Sequence, residues 1–247
     1  MILRQYLHAD PVAASYLFGC GGRAAAAVVD PVGDNAPYLA AADNTGMRII
    51  YVIDTHVHAD HVSSGRDLAS AAGAEYVLFT DAKVAFPFRG VRDGELLELG
   101  NVSIKVLHTP GHTPEHISLL VTDRTRSDEP WFLLTGHTLM VGDLGRTELA
   151  TNAEDGARTL FQSAQKLKAL PDYLEVLPGA YSGSVCGRSL SGKPMSTIGF
   201  ERRYNKALRI EDENTFVRVM LADIPPAPPQ AAQIRAINSG TMAAAAE

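Results

Sequence analysis

An α/β domain is the fold this chain predicts, on three observations. Short apolar runs of strand length alternate with segments of helical periodicity as far as residue 223. Apolar residues make up 46% of the 247 and charged residues 20%, the balance of an ordinary globular domain with a sizeable core. Several of the apolar runs end in loops rich in histidine and glycine, which is where α/β folds carry their chemistry.

The elements follow in order. Ala25 to Val29 reads as a strand ended by Asp30-Pro31. A short helix from Pro37 to Asp43 stops at Gly46, and Met47 to Ile53 is a buried strand. Ser63 or Ser64 caps a helix through Ala72, stopped by Gly73, and Glu75 to Thr80 is the next strand. Glu95 to Leu99 and Val102 to Leu107 make a hairpin about Gly100-Asn101. Ile117 to Val121 and Trp131 to Leu134 are further strands. From Asn152 the pattern turns helical, with Ala157, Leu160, Phe161, Ala164 and Leu167 on one face, and Leu174 to Leu177 is a last strand. Past Asp223, Ile-Pro-Pro-Ala-Pro-Pro reads as a stiff linker before a short helix and an alanine-rich end. The division expected is a domain over 1–223 and a tail over 224–247.

A net charge of −6 argues against a nucleic-acid partner, since a phosphate backbone calls for a basic face. No stretch is apolar for long enough to span a bilayer, and the N-terminus lacks a signal region. Cys20 and Cys186, far apart, make no disulfide framework. A cytoplasmic enzyme is the expectation.

Residues 55 to 61 read Thr-His-Val-His-Ala-Asp-His and directly follow a strand. Three of the eight histidines within six positions make a metal site the natural reading, because imidazole and carboxylate are the ligands of zinc and non-haem iron. The candidates are His56, His58, Asp60 and His61. A second segment, His108 to His116, places His112 after a Thr-Pro-Gly turn; His108 is a packed side chain or a ligand, and His116 a supporting group or surface residue before a ligand. A third, Thr135-Gly136-His137, again puts a histidine after a strand and a glycine.

In that order the motifs resemble the metallo-β-lactamase superfamily, and within it the persulfide dioxygenases, especially those joined to a rhodanese domain. Thr109 to Glu115, Val141 to Arg146, Ser184 to Arg188 and Ser196 to Arg203 carry the finer resemblance. It implies an αββα sandwich, one Fe(II) per chain, and oxidation of glutathione persulfide by O2 to glutathione and sulfite. It also implies ligands at His56, His112 and position 137, where the family has aspartate and this chain has His137. The Pro-rich tail is similar to a linker before a rhodanese domain, so a separate rhodanese partner is compatible with it, as is a homodimer.

Two departures bear on the chemistry. Where hydrolases of the superfamily bridge two metals with the carboxylate at position 137, this chain has imidazole, and Pro178-Gly179-Ala180 has alanine where their late histidine falls. Neutral imidazole offers one lone pair and is no substitute for a bridging carboxylate. One metal on His56, His112 and His137 is therefore expected, with His58, Asp60 and His61 as further ligands or supports. Exchanging carboxylate for imidazole raises the charge of an Fe(II) site by one, which favours an anionic sulfur ligand and raises the reduction potential. Zn(II) is the alternative cation, since three histidines suit it equally. For substrate binding, Arg146 is expected to hold a glutathione carboxylate or else to pair with Asp143, which itself supports its loop, and Tyr181 to line the cavity. Cys186 reads as a buried small residue or a thiol near the pocket. The main reading is a persulfide dioxygenase. The alternatives are a mononuclear, glyoxalase-II-like thioesterase and a redirected or non-catalytic member of the same fold.

Overall fold

A computed structural model describes residues 1–222, 224, 226–228 and 230–242. Its first half is a six-stranded sheet: β1 (Ile2–Ala9), β2 (Val12–Cys20), β3 (Ala25–Val29), β4 (Arg48–Ile53), β5 (Glu75–Phe79) and β6 (Arg89–Val91), lying in that order. The first three strands are antiparallel meanders, whereas β3 to β6 run parallel. Parallel strands need crossovers, and α1 (Ala36–Asn44) and α2 (Gly65–Ala72) supply two of them. The second sheet contains β7 (Leu96–Leu99), β8 (Val102–His108), β9 (Ile117–Asp123), β10 (Phe132–Gly136), β13 (Glu175–Pro178) and β14 (Ser196–Thr197). Between β10 and β13 come the two-residue strands β11 (Leu139–Met140) and β12 (Asp143–Leu144) and the helix α3 (Ala153–Lys168). Then follow α4 (Ile198–Tyr204), α5 (Glu213–Ala222) and α6 (Ala231–Asn238).

The two sheets face each other across an apolar core that includes Phe18, Ile53, Val77, Leu97, Ile104, Leu119 and Phe132. Phe18 and Phe132 meet edge to face at 5.7 Å across the layer, a contact worth about 0.5–1.5 kcal/mol beyond its buried area. α1 and α2 cover the outer face of the first sheet through Tyr38, Ala42, Leu68 and Ala69, and α3 and α5 cover the second through Leu160, Leu167, Phe216 and Met220. The result is the four-layer αββα sandwich.

Each strand and helix expected between residues 25 and 178 is present, with ends shifted by one or two residues. The β1–β2 hairpin, α4 and α5 were not anticipated; β2 is buried at nearly every position, so no alternation of faces marks it. At the start of α2, Ser64 makes no side-chain cap. Ser63 does that work instead, accepting from Gly65 N and donating to Asp54 at 2.6 Å. Of the Pro-rich stretch, Asp223, Pro225 and Pro229 lie outside the described residues, as does the alanine-rich end over 243–247. Among the described residues no helix is long and apolar enough to cross a membrane.

Candidate metal centre

The histidine loops leave the same edge of the sandwich. β4 delivers His56 to His61, β8 delivers His112, and β10 delivers His137. All five of these imidazoles, together with His116, are buried. The donor atoms of His56, His58, Asp60 and His137 lie within 4.8 Å of one another, and so do those of His112, His137 and Cys186. His137 thus belongs to both groups. His56 and His112 also approach closely, their rings 4.8 Å apart.

Hydrogen bonds decide which nitrogen of each ring faces inward. Thr55 Oγ1 donates to Asp30, so His56 Nδ1–H donates to Thr55 Oγ1 (3.0 Å) and leaves Nε2 bare. His58 Nε2–H donates to Asp30 Oδ1 at 3.1 Å, and its Nδ1 faces Asp60 Oδ1 at 3.5 Å. His112 Nδ1–H donates to the Arg146 carbonyl at 2.7 Å. Its Nε2 then accepts from His137 Nδ1 at 3.3 Å, which turns His137 Nε2 toward Asp60, 3.9 Å away. These are the carboxylate- and carbonyl-anchored imidazoles that metal sites use to fix a tautomer.

His116 lies behind this group. Its Nε2 accepts from the backbone N–H of His137 at 3.0 Å, while Nδ1 faces the hydroxyls of Thr109 and Thr138. It therefore positions His137. Gly136, at φ +49°, is required by the same contact, because a Cβ there would sit 2.5 Å from His116 Nε2. His108 is packed away on Phe79, ring centroids 4.0 Å apart, with Nε2 bonded to the Pro114 carbonyl.

Burial keeps most of these rings neutral. It pushes His112 down to about 3, with the nearby His137 adding to the effect, and holds His56, His116 and His137 below the ordinary histidine value. For His58 burial works in the same direction, but Asp30 and Asp60 outweigh it and raise this one histidine well above its usual value. Asp60 is likewise kept ionised against burial by His61 and His137.

The donors fit a cation. His56 Nε2, His58 Nδ1, His137 Nε2, both Asp60 oxygens and both His61 nitrogens are buried without a hydrogen-bond partner, and Asp60 Oδ1 is only 3.2 Å from His61 Nδ1. An unpaired buried polar atom costs about 1–3 kcal/mol, so so many converging on one volume call for an ion. His56 and His137, neutral and with the other ring proton already committed, are ready ligands, whereas a metal would displace a proton from His58 and the His137 hydrogen bond from His112.

Support for the first loop comes from distant parts of the chain. Glu115 accepts from Val57 N at 2.9 Å. From α6, Arg235 donates to the Val57 carbonyl (2.7 Å), and the Asn238 amide donates to the carbonyls of His58 (3.0 Å) and His61 (2.8 Å). Asp143 accepts from Arg188 and the Ser189 N–H, and so braces the β12 loop against the loop carrying Cys186. Glu201 ties Gly142, Ser196 and Asn205 together behind it.

Arg146 does not pair with Asp143. Its guanidinium is buried, bonded to Glu148 and to the Val185 carbonyl at 3.0 Å. Tyr181 donates to the His8 carbonyl at 2.7 Å and so ties the segment after β13 to β1. The sequence reading missed Asp30, Glu115, Glu201 and Asn238 as site supports. Of these, Asp30 carried a local signal, an acid between a buried strand and a proline, and it adopts φ +49°, a strained value for a non-glycine. Cys186 is both buried and within ligand distance of His112 and His137, so its two readings coincide.

Known proteins share the family and the fold of this chain. Residues 10–179 match the metallo-beta-lactamase superfamily. Human mitochondrial persulfide dioxygenase ETHE1 is 27% identical over 224 residues, covering 89% of this chain and 80% of that protein. The hydroxyacylglutathione hydrolase of Methylococcus capsulatus is 34% identical over 158 residues, 63% of this chain and 57% of the hydrolase. The match thus spans little more than half of that hydrolase. Among solved structures, a metallo-beta-lactamase from Staphylococcus aureus superposes with TM-score 0.89 at 35% identity, covering 96% of this chain and 72% of that one. ETHE1 from Myxococcus xanthus superposes with TM-score 0.82 at 27% identity, covering 98% and 100%.

Proposed function

This chain belongs to the metallo-beta-lactamase superfamily of metal-dependent enzymes, and on that basis we propose that it is a mononuclear non-haem iron dioxygenase acting on the persulfide of a low-molecular-weight thiol. The overall reaction is RSSH + O2 + H2O → RSH + sulfite + 2 H+, in which the terminal sulfur gives four electrons to O2. The observation that carries the single-metal part of the reading is His137, an imidazole where two-metal relatives need a bridging carboxylate, with buried Ala180 where they place a further ligand. Similarity to persulfide dioxygenases over most of the chain supports the same direction.

His56, His112 and His137 would hold the metal: His56 and His137 converge with His58 and Asp60, and His112 converges with His137 and Cys186 and would exchange its bond to His137 Nδ1 for the ion. Bound iron would supply the redox chemistry that joins O2 to sulfur. The chain's own part is positional. Asp30, Thr55 and the Arg146 carbonyl hold the imidazoles in ligating tautomers, and His116 fixes the backbone of His137. Dense burial around the rings limits water and strengthens every charge interaction there.

A thioester hydrolase is the second reading, favoured by Asp60 and His61, which remain in place with unpaired ligand atoms. One experiment separates the two: anaerobic purification, metal analysis, and O2 uptake with persulfide against thioester hydrolysis. Stoichiometric iron with persulfide-dependent O2 uptake is the expected result. Zinc with thioester turnover would sink the dioxygenase reading.

A further inference from the structure

Asp60 and His61, both buried side chains, line a cleft of about 630 Å³. Its other walls come from residues remote in sequence, including Tyr6, His8 and Asp10 from the β1–β2 hairpin, Asp34 and Tyr38 from the start of α1, and Ile234 from α6. Both carboxylate oxygens of Asp60 and both ring nitrogens of His61 are buried without hydrogen-bond partners, and Asp60 belongs to the candidate ligand group, so the cleft reaches the edge of the candidate centre.

Away from Asp60 and His61, where a bound cation would add positive charge, the charge on this lining is one-sided. Asp10 and Asp34 stand exposed at the rim. Among the described residues no lysine or arginine lines the cleft, and the residues outside the description contain neither. His8 is held below its ordinary value, chiefly by burial, and contributes no charge at neutral pH. The Arg146 guanidinium is matched by Glu148 and does not line the cleft. Tyr6 and Tyr38 meet edge to face at 4.9 Å on the same wall. Carboxylates and aromatic rings together attract an ammonium group and repel a carboxylate.

We propose that the cleft selects the persulfide of a small aminothiol, its ammonium directed to Asp10 and Asp34, over that of glutathione, whose two carboxylates outnumber its single ammonium at the same acidic rim. The inference rests on the persulfide reading above, but the charge preference belongs to the cleft and can be measured without turnover.

The test compares cysteamine persulfide with glutathione persulfide on the iron-loaded full chain. The expected ratio of kcat/KM favours cysteamine by roughly tenfold at low ionic strength and shrinks as salt rises toward 1 M. In an Asp10→Asn/Asp34→Asn variant it falls by roughly three- to tenfold, mainly through KM for the aminothiol. Asn at 34 keeps the side-chain oxygen that accepts from Ala36 N, so the entry to α1 is preserved. A preference for glutathione, or a ratio indifferent to both salt and the double variant, overturns the proposal. If neither persulfide consumes O2, the dioxygenase reading fails on its own. Calorimetric binding of cysteamine and glutathione to the same loaded protein then decides the charge preference. Tighter cysteamine binding that the double variant weakens sustains it, and equal or reversed affinities overturn it.

Discussion

Asp30 Oδ1 accepts from His58 Nε2 at 3.1 Å, and the same carboxylate accepts from the backbone N–H and the hydroxyl of Thr55. One acid at the end of β3 thereby sets the tautomers of two histidines at the end of β4, directly for His58 and through Thr55 for His56. Replacing it with asparagine offers one of those histidines the wrong partner. We expect Asp30→Asn to weaken metal binding by roughly 10- to 100-fold, read by chelator competition on the metal-free protein. Unchanged affinity would mean that Asp30 serves the fold alone.

His137 accepts no protein hydrogen bond at Nε2, and its backbone is fixed by His116 independently of its side chain. A carboxylate in that position can point at the same volume. His137→Asp is expected to retain or improve iron binding and persulfide-dependent O2 uptake. Metal analysis of the purified variant reads the first and an oxygen electrode the second. Loss of metal would show that the pocket has been shaped around imidazole.

Asn238 holds the carbonyls of His58 and His61 and also accepts from Ser63 N at 3.0 Å. Asn238→Ala leaves these groups unpaired near the centre, at a cost of about 1–3 kcal/mol in stability. Faster hydrogen exchange confined to residues 56–63, together with weaker metal binding, is the expected signature. Global loosening without a local change would argue against a clamp.

The metal-free protein should lose stability in mild acid. His56, His112, His116 and His137 have folded-state values below the ordinary one, so the unfolded chain binds more protons. Their contribution is complete above about pH 6.5 and is lost as pH falls toward the value of about 3 held by His112. His58 acts in the opposite sense: its contribution is present below about pH 6.5 and lost as pH rises through its raised value. One group does not offset four. Thermal scans of the apo-protein should give a lower midpoint at about pH 5 than at about pH 7.5, and the reverse order would contradict this account.

Much of the fold is legible because its strands and helices keep their periods and stops. Gly73 and Gly100 sit at positive φ where a helix end and a hairpin were expected. The three histidine segments are legible for a related reason, since each follows a strand directly. What escapes is whatever depends on neighbours in space. Asp30 reaches His58 because β3 lies beside β4, and Cys186 reaches His112 and His137 through the loop that follows β13. Asn238 matters only because α6 docks on the first histidine loop, which local periodicity does not encode. The difference between Arg146 and Asp143 has the same origin. Asp143 was the acid weighed for Arg146, but three-dimensional packing assigns Glu148 to Arg146 and Arg188 to Asp143.

The cleft takes Tyr6 and Asp10 from one side and Ile234 from the other, while Asn238 secures the ligand loop between them. A chain emerging from the ribosome can therefore complete both sheets before its centre is braced. Firm metal capture should wait until α6 has emerged and Asn238 has docked on the first histidine loop. A nascent chain stalled just short of α6 would be folded in outline and poor at retaining its ion.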